Sequence, residues 1–340
     1  KTMTAWEESM GSRKQGDSPD LVRRSLLVAG AATVFAPRIA LGQGQNVIRI
    51  GVPTKTYWPT IICETAIRQK LFEKEGIKAE LTIYRSGAEG FEAIAAGAAD
   101  LIMNSSSSVA AGLRKGVKVR CVANGANGYY GWYLVVKKDS PITKVAEVAG
   151  KKVGITSAGS GTDILARWTL AEHKIDFTRV PLGGGGLVPN LLTGNIEASV
   201  LYSPLTYKVM DEGVARPLID YGAEVPPHST GSWIASDTII NERPEVLQKA
   251  LNAIFGGVAF LRDDKNRDAA VKLIAEIDEI PENIAARELD GNIKKLSVTG
   301  EFQLDWMERA LDMARLIGMK DLAPTEEMFI TKFKPVPTPA

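Results

Sequence analysis

Histidine and cysteine are nearly missing from this chain of 340 residues: it has two of each, His173 and His228, Cys63 and Cys121. Two cysteines at unrelated positions make neither a metal motif nor a disulfide framework, and both stand in apolar surroundings, so they read as buried free thiols. With so little histidine there is no Ser-His-Asp order, no metal-ligand spacing and no phosphate-loop motif, and catalytic and metal-ligating residues are read as none. Charge imbalance is absent too. The 41 Lys and Arg residues against 40 Asp and Glu leave a net charge of +1, which speaks against a nucleic-acid binder or a polybasic membrane-surface protein.

Long hydrophobic runs are lacking as well. The longest, Ser25 to Ala36, follows Arg23 and Arg24 and falls short of the roughly 20 residues that span a bilayer. A basic start, a short apolar middle and the small residues Ala40 and Gly42 make residues 1–45 an export signal and leader, cleaved near Gly42. The paired arginines resemble a twin-arginine signal, although Val22, Leu26 and Val28 depart from the usual pattern.

What is present is a regular alternation. From Asn46 onward, short β-branched runs alternate with helical patterns, the mark of βαβ units and mainly parallel sheets. Strands are expected at Val47–Val52, Ala79–Tyr84, Asp100–Met103 and Val117–Ala123, and helices over Pro59–Glu75, Phe91–Ala96 and Val109–Lys115. Gly76, Gly97 and Gly116 stand where helix ends need positive φ. A second series follows: strands at Trp132–Lys137, Lys152–Thr156, Phe177–Leu182, Ala198–Tyr202 and Arg216–Asp220, with helices from Thr162, Leu187 and Leu205. Ile94-Ala-Ala-Gly97 leading to Asp100-Leu-Ile is echoed by Leu191-Leu-Thr-Gly194 leading to Glu197-Ala-Ser-Val, so the two series read as two similar lobes. After Ser232–Ser236 the pattern is helical, with a long helix from Pro244, further helices over Arg267–Glu276, Glu282–Leu296 and Glu301–Ile317, and an extended proline-rich tail from Phe333.

Open parallel sheets take ligands at the carboxyl ends of their strands. Those positions hold Pro53–Trp58, Arg85–Gly87, Asn104–Ser108, Ser157–Thr162, Gly183–Gly186 and Tyr202–Pro204. Several run into helices whose first N–H groups lack intrahelical partners, which suits carboxylates, sulfonates or phosphates, although plain helix capping explains any one of them equally well. Lys55 and Arg85 could neutralise an anion or be solvated rim residues, and Glu89 could receive an amine. Of the aromatic residues gathered nearby, Trp132 and Tyr133 are read as core.

Ile48-Arg-Ile-Gly-Val52 before Trp58-Pro59, Leu71–Ile77, Ala95–Asp100, Gly116-Val-Lys-Val, Gly150–Ile155, Ser160-Gly-Thr162, Gly194–Ala198 and Arg243–Val246 occur together in order. In this the chain resembles the ABC-importer binding proteins of the nitrate, sulfonate and taurine type, which share a domain with thiamine-pyrimidine synthases. The resemblance covers Asn46 to about Leu261. It implies the α/β, type II periplasmic binding protein fold: two doubly wound lobes joined by two crossing strands, near Trp132–Val136 and Ser232–Ser236. Lobe 1 is then 46–132 plus 233–340, and lobe 2 is 133–232. It also implies ligand contacts from Trp58, Ser86, Ser105, Ser106, Ser160, Gly161, Thr162, Tyr202 and Trp233. The implied protein is a monomer in the periplasm, without cofactor, that passes a small organic ligand to permease and ATPase subunits. The alternatives are an enzyme of the thiamine-pyrimidine synthase type, whose cysteine-rich segment and functional histidines this chain lacks, and a ligand-sensing module.

Overall fold

The computed structural model describes residues 46–333. The segment read as an export leader, and the proline-rich tail beyond Phe333, lie outside these residues.

The first series of elements is β1 (Val47–Pro53), α1 (Trp58–Arg68), α2 (Leu71–Lys74), β2 (Lys78–Tyr84), α3 (Gly87–Ala95), β3 (Leu101–Asn104), α4 (Ser107–Arg114) and β4 (Val119–Ala126). The second is β5 (Tyr133–Lys137), β6 (Lys152–Ile155), α5 (Gly161–His173), β7 (Thr178–Pro181), α6 (Leu187–Thr193), β8 (Ala198–Leu201), α7 (Leu205–Asp211), β9 (Ala215–Asp220) and α8 (Tyr221–Glu224). The chain then returns through β10 (Gly231–Ser236) to α9 (Asp237–Glu242), α10 (Pro244–Arg262), α11 (Arg267–Asp278), α12 (Glu282–Gly291), α13 (Leu304–Leu316) and α14 (Thr325–Met328).

These strands form two sheets with the same plan, β2-β1-β3-β10-β4 and β7-β6-β8-β5-β9. Four strands of each run in one direction, and only β10 and β5 run antiparallel to both of their neighbours. β3 and β8 are short and wholly buried, as strands covered on both faces must be. The chain passes between the sheets twice, and the two passing segments are bonded to each other, Thr230 N–H donating to the Ala126 carbonyl and His228 N–H to that of Asn127.

The repeated acid has the same task in each sheet. Asp100, ahead of β3, accepts the backbone N–H of Arg49 at 2.9 Å; Glu197, ahead of β8, accepts that of Lys152 at 2.8 Å. Each carboxylate ties the start of the inner strand to its neighbour. Their settings differ. Asp100 is buried and is also bound by the Arg49 guanidinium, with Arg243 3.4 Å away. Burial pushes its carboxyl up, but the bonds and charge of Arg49 and the charge of Arg243 outweigh that and hold it below the usual range. Glu197 is exposed.

The long helix expected over Pro59–Glu75 is broken in two. Lys70 adopts a left-handed conformation, φ 55°, which ends α1 and starts α2 in a new direction. Gly76, Gly97 and Gly116 do have positive φ, between 72° and 80°. Cys63 and Cys121 are free and buried.

The apolar core has three parts: one on each face of the first sheet and one around the second. Two side-chain groups break this division. Tyr207, on α7 beside the second sheet, packs into the core that α10, α11 and α12 share with the first. On α13, Met307 and Leu311 join the first sheet's outer core while Met313 joins that of the second sheet, as does Ile317 just after the helix. The start of α13 also touches a crossing segment, because Ser229 N–H donates to the Trp306 carbonyl.

Asp100→Ala strips two arginines of a buried partner and should lower unfolding free energy by about 2 to 3 kcal/mol. Glu197→Ala removes the equivalent bond at an exposed place and should cost much less. Urea unfolding of the two variants checks the contrast.

Candidate functional site

The C-terminal ends of the central strands of both sheets face one another across a cavity of about 50 Å³. β1 delivers Pro53 and Thr54, β3 Asn104 and Ser105, β6 Thr156, and β8 Tyr202. This is where a doubly wound sheet leaves room for a ligand, because the helices on its two faces diverge there.

Four helices of eight residues or more begin at the cavity: α1 at Trp58, α3 at Gly87, α4 just after Ser105, and α5 at Gly161. Their first N–H groups carry partial positive charge. Around α5 the loop is held by hydroxyls. Thr156, Ser160 and Thr162 bond to each other at 2.8 to 3.0 Å, and Thr162 Oγ1 accepts the Thr156 N–H at 2.8 Å. Ser160 Oγ caps Asp163 N–H, which leaves the earlier amides of Gly161 and Thr162 without helical partners. On the other side, Asn104 steadies α3 and α4 together, its Nδ2 donating to the Gly87 carbonyl and its Oδ1 accepting Ser105 N–H.

Aromatic rings close the remaining walls. Tyr57, Trp132 and Tyr202 have centroids 5.2 to 5.6 Å apart, and Tyr129 lies 5.6 Å from Trp132. Burial pushes the Tyr202 phenol up to about 12 and those of Tyr57 and Tyr129 higher still, so each is a neutral hydroxyl at neutral pH. The buried hydroxyls of Thr54 and Tyr202 stand against each other on the cavity wall, one from each sheet.

Among the described residues no charged side chain lines the cavity. Lys55 is exposed and paired with Glu279 at 2.5 Å; Arg85 is exposed beside Glu89, whose carboxylate accepts the Arg85 backbone N–H. Both lie at the mouth with Gly183–Gly186. Neither cysteine and neither histidine lines the cavity.

Of the residues named from the sequence, Trp58, Ser105, Ser160, Gly161, Thr162 and Tyr202 line the cavity together. Ser86, Ser106 and Trp233 stand one layer behind. Ser86 caps α3, Ser106 bonds to Ser229 and Ser232, and Trp233 is buried edge-on against Trp58. Trp132, read as core, is a wall of the cavity and lies against Gly161. Thr54, Asn104 and Thr156 belong to the strand-end segments already singled out. Asn292 does not: it follows α12, far along the helical C-terminal part, and reaches the cavity from a region with no strand-end signal.

A scan against family models matches residues 61–268 to the NMT1/THI5 like family. The chain belongs to that family. A relative of Bacillus subtilis, named as an aliphatic sulfonates-binding protein, is 25% identical and covers 84% of this chain and 87% of the relative. Among solved structures, the alkanesulfonate-binding protein SsuA from Xanthomonas axonopodis pv. citri, bound to MOPS, superposes with a TM-score of 0.71 at 17% identity, covering 82% of this chain and 95% of that one. The periplasmic aliphatic sulphonate binding protein SsuA from Escherichia coli gives 0.69 at 18%, over 87% and 96%. The fold is therefore that of the periplasmic binding proteins.

The two sides touch directly at the mouth. Gly184 N–H donates to the Arg85 carbonyl at 3.1 Å, and a Cβ on Gly184 would lie 2.6 Å from Thr54 Cγ2 and 2.8 Å from Tyr202 Oη. Only glycine permits this approach. Gly184→Ala should hold the sides apart and weaken ligand affinity by tenfold or more while leaving the unfolding midpoint within a few degrees of wild type; calorimetry and thermal unfolding measure the two effects.

Proposed function

We propose that the chain is the solute-binding component of an ABC-type importer. It would capture a small anionic organic molecule, with sulfonates the leading class, and hold it between two lobes, residues 46–132 with 233–340 and residues 133–232. The observation that carries this reading is the meeting of four helix N-termini on an uncharged, aromatic-walled cavity between the two sheets. Backbone amides and hydroxyls can surround an anionic head without a counter-charge, as helix N-termini do elsewhere. The rings then accept an apolar or aromatic remainder. A cationic ligand finds no carboxylate on these walls.

The relatives named as sulfonate binders support the ligand class, and the paired arginines before the apolar run 25–36 support export to the periplasm by a twin-arginine-like route. The work of the molecule is a change of population. A ligand that touches both sides binds the closed form better than the open one and shifts the balance by that difference. A micromolar ligand has about 8 kcal/mol in total for contacts and closure together, which leaves room for release at the permease. The protein works as a monomer in this scheme, with permease and ATPase subunits as its partners.

Isothermal titration with methanesulfonate, 1-butanesulfonate, benzenesulfonate and nitrate tests the proposal. At least one sulfonate should bind at micromolar concentration, and Ser160→Ala with Thr162→Ala should weaken it by about ten- to a hundredfold with no loss of folded protein. Binding of a neutral or cationic aromatic molecule with no response to any of these anions would overturn the ligand class.

A further inference from the structure

Behind the aromatic wall lie two acids that the capture of an anion does not use. Asp278, at the end of α11, is 4% exposed and Glu288, on α12, is 0% exposed. Neither Asp278 oxygen has a hydrogen-bond partner, and Glu288 has one free oxygen, Oε2. Glu288 Oε1 accepts Asn292 Nδ2 at 2.7 Å, and that same nitrogen lies 3.1 Å from Ser203 Oγ, on the loop that leaves β8. The cover over Glu288 thus comes from both sides: α12 belongs with the first sheet, while Ser203 and the inserted Tyr207 ring come from beside the second.

The titratable groups facing the pair are Lys55, from the segment after β1, and the phenols of Tyr57, Tyr202 and Tyr207. None supplies a buried positive charge. Lys55 is half exposed and engaged with Glu279. Arg287 lies over the Tyr207 ring, 4.8 Å from its centre, and is paired with Asp211 at 3.5 Å. Among the described residues no group of three metal-ligating side chains includes the pair. A carboxylate buried without a cation or a full set of donors does not keep its charge cheaply, and a proton is the counter-charge that needs no added space.

We propose that Asp278 and Glu288 make closure of the cleft proton-linked: the closed form holds at least one proton on this pair and gives it up when the lobes part and water reaches the carboxylates. The inference rests on the reading of the cleft as one that opens and closes. Acid then favours capture and alkali favours release.

The direction of the effect follows from burial. It pushes Glu288 up to about 7, against the pull of the nearby Ser203 hydroxyl and the Asn292 amide, and Asp278 up to about 8, where the neighbouring Glu288 adds to burial and Lys55 opposes it. In the open form both titrate as ordinary carboxyls, near 4. Closing therefore takes up protons between about pH 5 and 7, and the advantage fades as pH rises through the closed-form values.

Two measurements on the same protein test this. Trp58 and Trp132 line the cavity, so tryptophan emission of the ligand-free protein reports closure. Emission should titrate between pH 6 and 8.5 in wild type and not in the Asp278→Asn, Glu288→Gln double variant. His228 is held below the usual value by burial, and His173, edge-on to Trp168 at 6.0 Å, is changed in both proteins (His173→Gln) so that they differ only at the two acids. The Kd for 1-butanesulfonate should rise about tenfold per pH unit for each proton taken up, so by about ten- to a hundredfold from pH 6 to 7, and level off above 8, and in the double variant it should be flat. Wild-type emission that stays constant, or a double variant that titrates like wild type, would overturn the proposal. Failure of 1-butanesulfonate to bind at any pH refutes the ligand class alone, since the emission titration needs no ligand.

Discussion

The structure depends on backbone dipoles brought together without a counter-charge. Four helices aim their amino ends at one small space, and no charged side chain lines it; the first-turn acids Glu89 and Asp163 are turned to Arg85 N–H and to Gly159 N–H and Arg179 instead. In a folded protein those amides would ordinarily be capped or wetted. Here two sheets hold them around a cavity whose walls are rings, which keeps water scarce and the local dielectric low, so the field of the amides is stronger than it would be at a surface. The hydroxyl cluster of Thr156, Ser160 and Thr162 and the Asn104 clamp position this field with neutral groups.

Much of this was legible in the sequence. The alternation of short apolar runs and helical periods reports the sheets because a strand covered on both faces has to be apolar throughout, as β3 and β8 are. The echo of Asp100 in Glu197 reports the equivalence of the two sheets, because the same carboxylate task recurs at the same point of each. Less legible were features made by residues distant in the chain. Asn292 reaches the cavity only because α12 folds back beside β8, and nothing in its neighbours marks that return. Trp132 reads as core because it adjoins an apolar strand, yet it sits just before β5, where the chain crosses between sheets and the ring turns into the space both sheets share. The left-handed turn at Lys70 falls inside an unbroken helical pattern and has no glycine to announce it.

The acids Asp100 and Asp278 show how context decides the state of a buried carboxyl. Both are almost fully covered. Asp100 meets a guanidinium and a backbone amide and stays ionised. Asp278 has the acid Glu288 and the phenol of Tyr202 as neighbours, and burial raises its carboxyl far above the usual range. One is a fastening and the other a source of tension, and the difference lies in which side chains the packing brings alongside.

α13 has a mechanical consequence. A rigid rod whose first half is embedded in one core and whose second half is anchored in another cannot be shared by two bodies that separate at that place. In the proposed opening, relative rotation therefore pivots close to Met313 and to the crossing segment at Ser229 that the rod touches. Displacement grows with distance from a pivot, so a small angle there would open a wider gap where Gly184 meets Arg85.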